Sequence, residues 1–393
     1  MLKDTLKDII ASQRAINLPK KIIAREKLIP RTSQITIITG IRRCGKSTLL
    51  KQLLQKEKSK AYVNFEDPRL IAFKLEDFEK LELVFREDGA NTFYLDEIQN
   101  ISHWERYIRA AHDKGIKIYI TGSTAGLLSR ELGTKLTGRY IQSELFPFSY
   151  KEYLEYYNRP TGPKMLEGYL KAGGFPEYLK GETDEYLRTI FRDVILRDIV
   201  VRRNLRNENT IMQLATFIVT NIGKPFSYNS LTKALNIKSI RTTIDYCDYL
   251  QETYLIGLIP KHSHSLRKEL SNPKKAYCID NGLVAANTLS FSEDRGRKLE
   301  NMVYQQLRRK HKQISYHKEQ HECDFVVKEM GTVTKAVQVC WKITEDNLKR
   351  EADGLREALE ANKKARGIFI TFDQEDVIEG IPVVPAWKWL LEP

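Results

Sequence analysis

The run Gly40-Ile41-Arg42-Arg43-Cys44-Gly45-Lys46-Ser47-Thr48 carries two glycines, a lysine and a hydroxyl at the spacing G-x-x-x-x-G-K-[ST]. Those residue types suit one task, cradling a polyphosphate. Glycines let backbone N–H groups converge on phosphate oxygens, and a helix starting at the lysine adds the positive end of its dipole. Lys46 is placed to reach the β and γ phosphates, and the Ser47 hydroxyl to ligate Mg²⁺. The expected cofactors are therefore ATP and Mg²⁺, although a loop that reads phosphates accepts GTP as well. The competing reading is a plain Gly-rich turn, and the flanks argue against it. A β-branched run, Ile35 to Thr39, leads into the loop, and a leucine-bearing helical stretch follows.

Hydrolysis needs more than a cradle. Thr92 to Leu95 read as an apolar strand with Asp96 and Glu97 at its end. A carboxylate there suits Mg²⁺, so Asp96 joins Ser47 as an expected metal residue, and Glu97 next to it suits a general base polarising the attacking water. A further strand, Ile116 to Ile120, ends in Thr121-Gly122-Ser123. Ser123 is the first candidate to hold that water and Thr121 the second, against the alternative of an ordinary turn hydroxyl. Arg139, Arg130 and Arg42 are candidates to neutralise charge in the transition state, against the alternative of solvated surface arginines.

These residues need strand ends to sit on. Strands alternating with amphipathic helices specify an α/β fold, a parallel sheet whose ligand lies at the carboxyl ends of the strands. A chain of 393 residues exceeds one compact core. The expected division is a nucleotide domain at 1–155, a helical lid or linker at 156–215, a winged-helix segment at 216–290 and a small α/β piece at 291–393. Hydrophobic content of 41% and charged content of 29% exclude a disordered chain. Apolar runs are too short for a transmembrane helix, and charges interrupt the N-terminal stretch where a secretion signal would need a continuous apolar region. Five scattered cysteines with no C-x-x-C pair fit a reducing compartment, so a cytoplasmic location is expected. A net charge of +13 leans toward a polyanionic partner, nucleic acid first, with protein partners or self-association as alternatives.

Taken together, GIRRCGKST, VNFEDPRL, YLDEIQ, ITGSTAGLL, LTGRYIQSELFPFSYKEYL and GGFPEYL resemble a family of prokaryotic AAA-type P-loop ATPases with a C-terminal domain of unknown function (the AAA_14 plus DUF4143 type). The resemblance implies phosphate contacts for Gly40, Gly45, Lys46 and Ser47, and Mg²⁺ and catalytic roles for Asp96 and Glu97. It further implies a sensor-like Ser123, an arginine finger at Arg139, and Arg42 and Arg43 as the basic interior of the loop.

Beyond residue 155 the signals are weaker. Gly173-Gly174-Phe175-Pro176 reads as a helix C-cap with a proline-started helix after it, or as a nucleotide-sensing lid. The arginine-rich repeat EYLRTIFRDVILRDIVVRRNLRN predicts a helix of about five turns. Around residues 217–259, short helices and a β run have the layout of a winged helix-turn-helix. Its recognition helix is expected at Ser239 to Leu250, with Lys238 and Arg241 near its start and KHSHSLRKELSNPKK as a basic wing.

The last hundred residues read as helix, three strands, helix and strand, the layout of restriction-endonuclease-like nucleases. The resemblance places Glu300, Asp324, Gln338 and Cys340 at the nuclease positions. Gln338 lacks the metal-binding charge and Cys340 replaces the lysine, with Lys342 on the same strand face as a substitute, so a nuclease fold without cleavage is expected. The histidines, among them His262 and His317, read as surface residues without a metal pattern.

Overall fold

The structure is a computed structural model and describes all residues except 15–20, 27–28, 31, 60, 124–135, 137, 264, 289–293 and 393. The chain divides into two compact units, residues 1–146 with 252–254, and residues 147–251 with 255–393.

The first unit is built on five parallel strands, β1 (Ile35–Thr39), β2 (Ala61–Asn64), β3 (Thr92–Asp96), β4 (Lys117–Gly122) and β5 (Tyr140–Glu144), in the order β2-β3-β4-β1-β5. Every residue of β1 is buried, as a strand covered on both faces requires. Helices α1 (Lys3–Arg14), α2 (Lys46–Leu54), α3 (Asp77–Glu87) and α4 (Trp104–Asp113) supply the covering. Leu6 and Ile10 of α1, Phe78, Leu81 and Phe85 of α3, and Ile108 of α4 share one core with Ile35, Ile37, Val63, Phe93, Leu95, Ile118 and Ile120 of the sheet. The expected α/β class and parallel sheet hold here. The order has a consequence for chemistry: β4 lies between the P-loop strand β1 and the acidic strand β3, so its carboxyl end faces both.

The second unit begins with α5 (Tyr150–Tyr157), closed by a Ser149/Glu152 capping box, and α6 (Pro163–Ala172). Gly173 ends α6 at φ 69°, and the Gly174 N–H donates to Asp280 Oδ2 at 2.6 Å. A Cβ on Gly174 would stand 2.2 Å from the Phe148 carbonyl oxygen, so the Gly-Gly pair is close-packed backbone; Gly173 is the expected C-cap, but no proline-started helix follows, only a 3-10 turn, Tyr178–Lys180. The arginine-rich helix is α7 (Asp184–Ile195), prolonged by a π-helical segment, Leu196–Val201.

Then come α8 (Glu208–Thr220), β6 (Pro225–Phe226), α9 (Tyr228–Ala234), α10 (Ile240–Glu252), β7 (Ile256–Pro260), α11 (Leu266–Ser271) and β8 (Lys274–Cys278), with the strands in the order β6-β8-β7. Helices α12 (Asn281–Asn287) and α13 (Arg295–Lys310) lead to β9 (Gln313–Lys318), β10 (Glu322–Glu329) and β11 (Thr332–Cys340), an antiparallel meander. Helix α14 (Glu345–Ala361) crosses over to β12 (Arg366–Thr371), parallel to β11, as a parallel neighbour requires. Strands β13 (Asp376–Ile378) and β14 (Ile381–Pro385) and helix α15 (Ala386–Trp389) complete the chain. The expected boundaries at 215/216 and 290/291 both fall inside this unit.

Candidate functional site

The loop from Gly40 to Ser47 joins β1 to α2. Gly40 has φ 146° and Gly45 φ 103°, and a Cβ on Gly40 would lie 2.0 Å from the Leu145 carbonyl oxygen. Only glycine allows that approach. Leu145 is itself fixed by its N–H to the Thr39 carbonyl at 2.7 Å, and the Cys44 thiol contacts the Leu145 carbonyl at 3.4 Å. Arg25 straps the loop from outside, donating to the Cys44 carbonyl at 3.0 Å. Burial pushes the Cys44 thiol above its ordinary pKa, so it stays a thiol and packs as an apolar group.

Lys46 is 4% exposed, and its ammonium donates to the carbonyls of Gly40 at 3.0 Å and Ile41 at 3.1 Å. Glu97 Oε1 lies 4.0 Å away. The lysine thus points into the loop. Its partners there are neutral carbonyls and one carboxylate at the edge of ion-pair range, all of which it can give up for phosphate oxygens. Arg42 pairs with Glu66 at 3.2 Å, and Arg43 is exposed with φ 66°. Ser47 and Thr48 open the first turn of α2.

Asp96 ends β3, fully buried, and both of its oxygens are held. The Tyr62 hydroxyl donates to Oδ2 at 2.8 Å from β2, and the Thr121 hydroxyl donates to Oδ1 from β4. Thr121 Oγ1 also accepts the Glu97 N–H at 2.9 Å. Three adjacent strands are therefore tied together through one carboxylate. Glu97 follows in the left-handed region, φ 52°, and is 9% exposed, with Gln99 Nε2 donating to its Oε2. Burial raises the Glu97 pKa, Asp96 and Glu66 push it the same way, and Lys46 opposes them. A carboxylate whose proton affinity is lifted toward neutrality is a better base.

Of the two hydroxyls considered at the end of β4, Thr121 is the one on Asp96 and on the Glu97 amide. Ser123 is buried just beyond the strand. Arg139 departs from expectation. It precedes β5, its carbonyl accepts the Ile35 N–H at the start of β1, and its guanidinium donates to Asp113 at 3.1 Å. A five-residue strand separates that end of β1 from Gly40, about 16 Å at ~3.3 Å per residue. Arg139 sits at the amino edge of the sheet and faces away from its own P-loop. Arg130 lies outside the described residues.

Tyr62 and Gln99 were missed by the sequence reading, as was a second knot at the P-loop's entry. Thr39 Oγ1 accepts from the Tyr254 hydroxyl at 2.8 Å and from Gln142 Nε2 at 3.0 Å, all within the first unit. Tyr254 is held at φ 64°, an uncommon conformation for an aromatic residue.

In the second unit, Glu300 of α13 and Asp324 of β10 do come together, with a partner that spacing along the chain did not reveal. Lys275 of β8, 1% exposed, lies 3.2 Å from Glu300, 2.8 Å from Glu322 and 3.3 Å from Asp324. The Tyr277 hydroxyl, two residues on and on the same strand face, donates to Glu300 at 2.6 Å. Gln338 spans β10 and α14: its Oε1 accepts the Asp324 N–H at 3.3 Å, and its Nε2 donates to Glu351 at 2.6 Å. A carboxylate at 338 would face Glu351 without a donor, which accounts for the amide. Strand β11 stops at Cys340, so Lys342 lies beyond it and its expected place on the strand face is not realised. The sequence reading put Lys275 at the end of the basic wing, but the lysine is buried among the three carboxylates and presents no charge there. His262 and His317 are buried, not surface residues, and His317 pairs with Glu357 at 2.9 Å. Among the described residues, no group of three or more His, Cys, Asp or Glu has metal-holding geometry, and no helix is long and apolar enough to cross a membrane.

The fold and this loop define a P-loop protein of the AAA type, and the family model for an AAA domain matches residues 32–154. A domain of unknown function, DUF8612, matches residues 163–294, where the resemblance had implied DUF4143. The chain is 31% identical over 429 residues to the uncharacterized protein MJ1544 of Methanocaldococcus jannaschii, covering 99% of this chain and 96% of that one, and it belongs to the same family. An uncharacterized protein of Haemophilus influenzae is 29% identical over 95% of this chain and 100% of its own length. Solved structures align more weakly. The replication initiator DnaA bound to AMPPCP and single-stranded DNA gives a TM-score of 0.31 at 14% identity, over 63% of this chain and 86% of that one. The Aeropyrum pernix Orc1 protein in complex with DNA gives 0.29 at 10% identity, over 72% and 90%. These scores are too low to equate the whole folds.

Proposed function

We propose that this protein binds ATP with Mg²⁺ in the Gly40–Ser47 loop and hydrolyses it. The observation that carries the reading is the convergence of Lys46, Asp96, Glu97 and Thr121 at three neighbouring strand ends. The glycine cradle fits a polyphosphate, and the Ser47 hydroxyl and Asp96 carboxylate are the hard oxygen donors that Mg²⁺ takes. Bound there, Mg²⁺ supplies charge neutralisation for the phosphoryl group. Lys46 exchanges its loop carbonyls for phosphate oxygens. Glu97, freed of that neighbour, accepts a proton from the attacking water. Thr121 holds Asp96 and the Glu97 backbone in register, and Ser123 completes the polar end of β4. A finger role for Arg139 is confined to the nucleotide of a neighbouring copy.

For the rest of the chain we keep the four-part division, with its first boundary shifted to about 146. The chain order α8-β6-α9-α10-β7-β8, with the strands side by side as β6-β8-β7, supports a winged helix. The succession α13-β9-β10-β11-α14-β12 supports a nuclease-like piece whose missing carboxylate argues against cleavage. The second reading, a nucleic-acid-binding regulator switched by ATP, rests on the net charge of +13. Helix α10 speaks against its acting as a major-groove reader, because Arg241 is paired with Asp245 at 3.1 Å and Asp248 and Glu252 lie on the same helix.

The test is nucleotide binding and turnover side by side. Lys46→Ala is expected to lose ATP binding, whereas Glu97→Gln binds ATP and does not turn it over. Stimulation of wild-type turnover by DNA or RNA, with steep salt dependence, would favour the second reading.

A further inference from the structure

The chain passes between its two units at three points, after Phe146, before Glu252 and after Tyr254. All three adjoin residues that open the P-loop. At the first, the Leu145 N–H donates to the Thr39 carbonyl at 2.7 Å, and Arg25 donates to the carbonyls of both Phe146 and Cys44. At the other two, the segment Glu252–Tyr254 belongs to the first unit while the chain on either side of it belongs to the second. Tyr254 anchors that segment: its hydroxyl donates to Thr39 Oγ1 at 2.8 Å and accepts from Gln142 Nε2 at 3.0 Å. Thr39 is fully buried and Tyr254 nearly so. An aromatic residue at φ 64° persists only where its surroundings hold it, and such residues gather at sites and switches. The next residue, Leu255, is bonded into the second unit by both of its backbone groups. Its N–H donates to the Leu250 carbonyl at 3.2 Å, and its carbonyl accepts the Ile279 N–H at 3.1 Å. One peptide bond therefore joins a residue on the P-loop's entry to a residue fixed beside β7 and β8.

Lys46 donates to the carbonyls of Gly40 and Ile41, and a phosphate that claims its ammonium releases both. Gly40 directly follows Thr39, so that exchange is felt one residue from the Tyr254 hydroxyl. Two arrangements of one lysine thus bias a single backbone position, which is what coupling between sites requires. We propose that Tyr254 is a positioning residue that couples the P-loop to the second unit: nucleotide in the loop is registered at Thr39 and passed through the Tyr254 hydroxyl to Leu255 and β7. The inference rests on the reading that the loop binds ATP. Such coupling runs both ways, so whatever shifts β7 changes nucleotide affinity through the same hydroxyl.

The experiment adds AMPPCP with Mg²⁺ to the full-length protein. Calorimetry reads its binding, and hydrogen exchange reads the amides of residues 255–260 with and without it. Wild type is expected to bind the analogue and to slow exchange at those amides by about 10-fold. Tyr254→Phe, which keeps the ring, is expected to bind the analogue still and to lose most of that slowing. A bond with a merely structural role would instead raise exchange in both conditions and leave their ratio as in wild type. Thr39→Val removes the acceptor from the other side and is expected to match Tyr254→Phe, with no further loss in the double variant. Thr39→Ser keeps the hydroxyl and is expected to retain the slowing. Should Tyr254→Phe fail to fold, the same ratio in Thr39→Val and Thr39→Ser decides. Wild type that binds no analogue overturns the ATP reading and this inference with it. Wild type that binds it without slower exchange at 255–260, or Tyr254→Phe that binds it and keeps the full ratio, overturns this inference alone.

Discussion

Lys46 and Lys275 are buried to a similar degree, 4% and 1% exposed, yet their surroundings differ in kind. Lys46 rests on two neutral carbonyls, and its one carboxylate partner is 4.0 Å away. Lys275 is enclosed by three carboxylates at 2.8–3.3 Å and sits over the ring of Tyr316 at 5.4 Å. The first arrangement leaves a charge only partly compensated and free to be claimed by a stronger anion. The second compensates the charge completely and fixes it. A buried lysine is thus poised to act where its neighbours are weak, and structural where they are strong.

Breaking the structural lysine should have the largest effect on stability. Lys275→Met removes the cation that Glu300, Glu322 and Asp324 share, leaving Glu322 with Lys318 at 3.0 Å, and is expected to cost about 3–5 kcal/mol, read from chemical denaturation. Breaking the poised one should spare the fold and strike the ligand. Lys46→Ala is expected to weaken ATP binding by about 100-fold, roughly 3 kcal/mol, with the melting temperature little changed. Thr121→Val sharpens the contrast, because it removes the hydroxyl that joins Asp96 to the Glu97 amide without touching either lysine. A loss of about 2 kcal/mol in stability is expected, together with a fall in turnover that exceeds any change in ATP affinity. Arg139→Ala should do least. With Arg139 facing Asp113 at the far edge of the sheet, the turnover of dilute protein should be unchanged.

Local signals explain which parts of this could be read in advance. The P-loop is contiguous, so the turn, the helix start and the lysine were all legible in nine residues, as were the strand ends bearing Asp96 and Glu97. Cross-strand contacts were not. Tyr62 lies 34 residues from Asp96, and its hydroxyl bond depends on β2 pairing with β3, which no spacing in the chain announces. The preference for Ser123 over Thr121 came from counting to the end of a strand that continues to Gly122, so that Thr121 is its inward-facing residue. Arg139 was linked to the loop by family pattern, and only the register of β1 against β5 shows it at the opposite end. Lys275 contacts Asp324 across 49 residues, and a lysine second in a short strand looks like surface until the sheets are assembled.

The central claim is that Glu97 turns a phosphate cradle into a hydrolase. ATP affinity and steady-state turnover of Glu97→Gln, measured beside wild type with Mg²⁺ present, test it most directly. Unchanged affinity with turnover lower by about 10²–10⁴-fold is the predicted result. Turnover equal to wild type would contradict it.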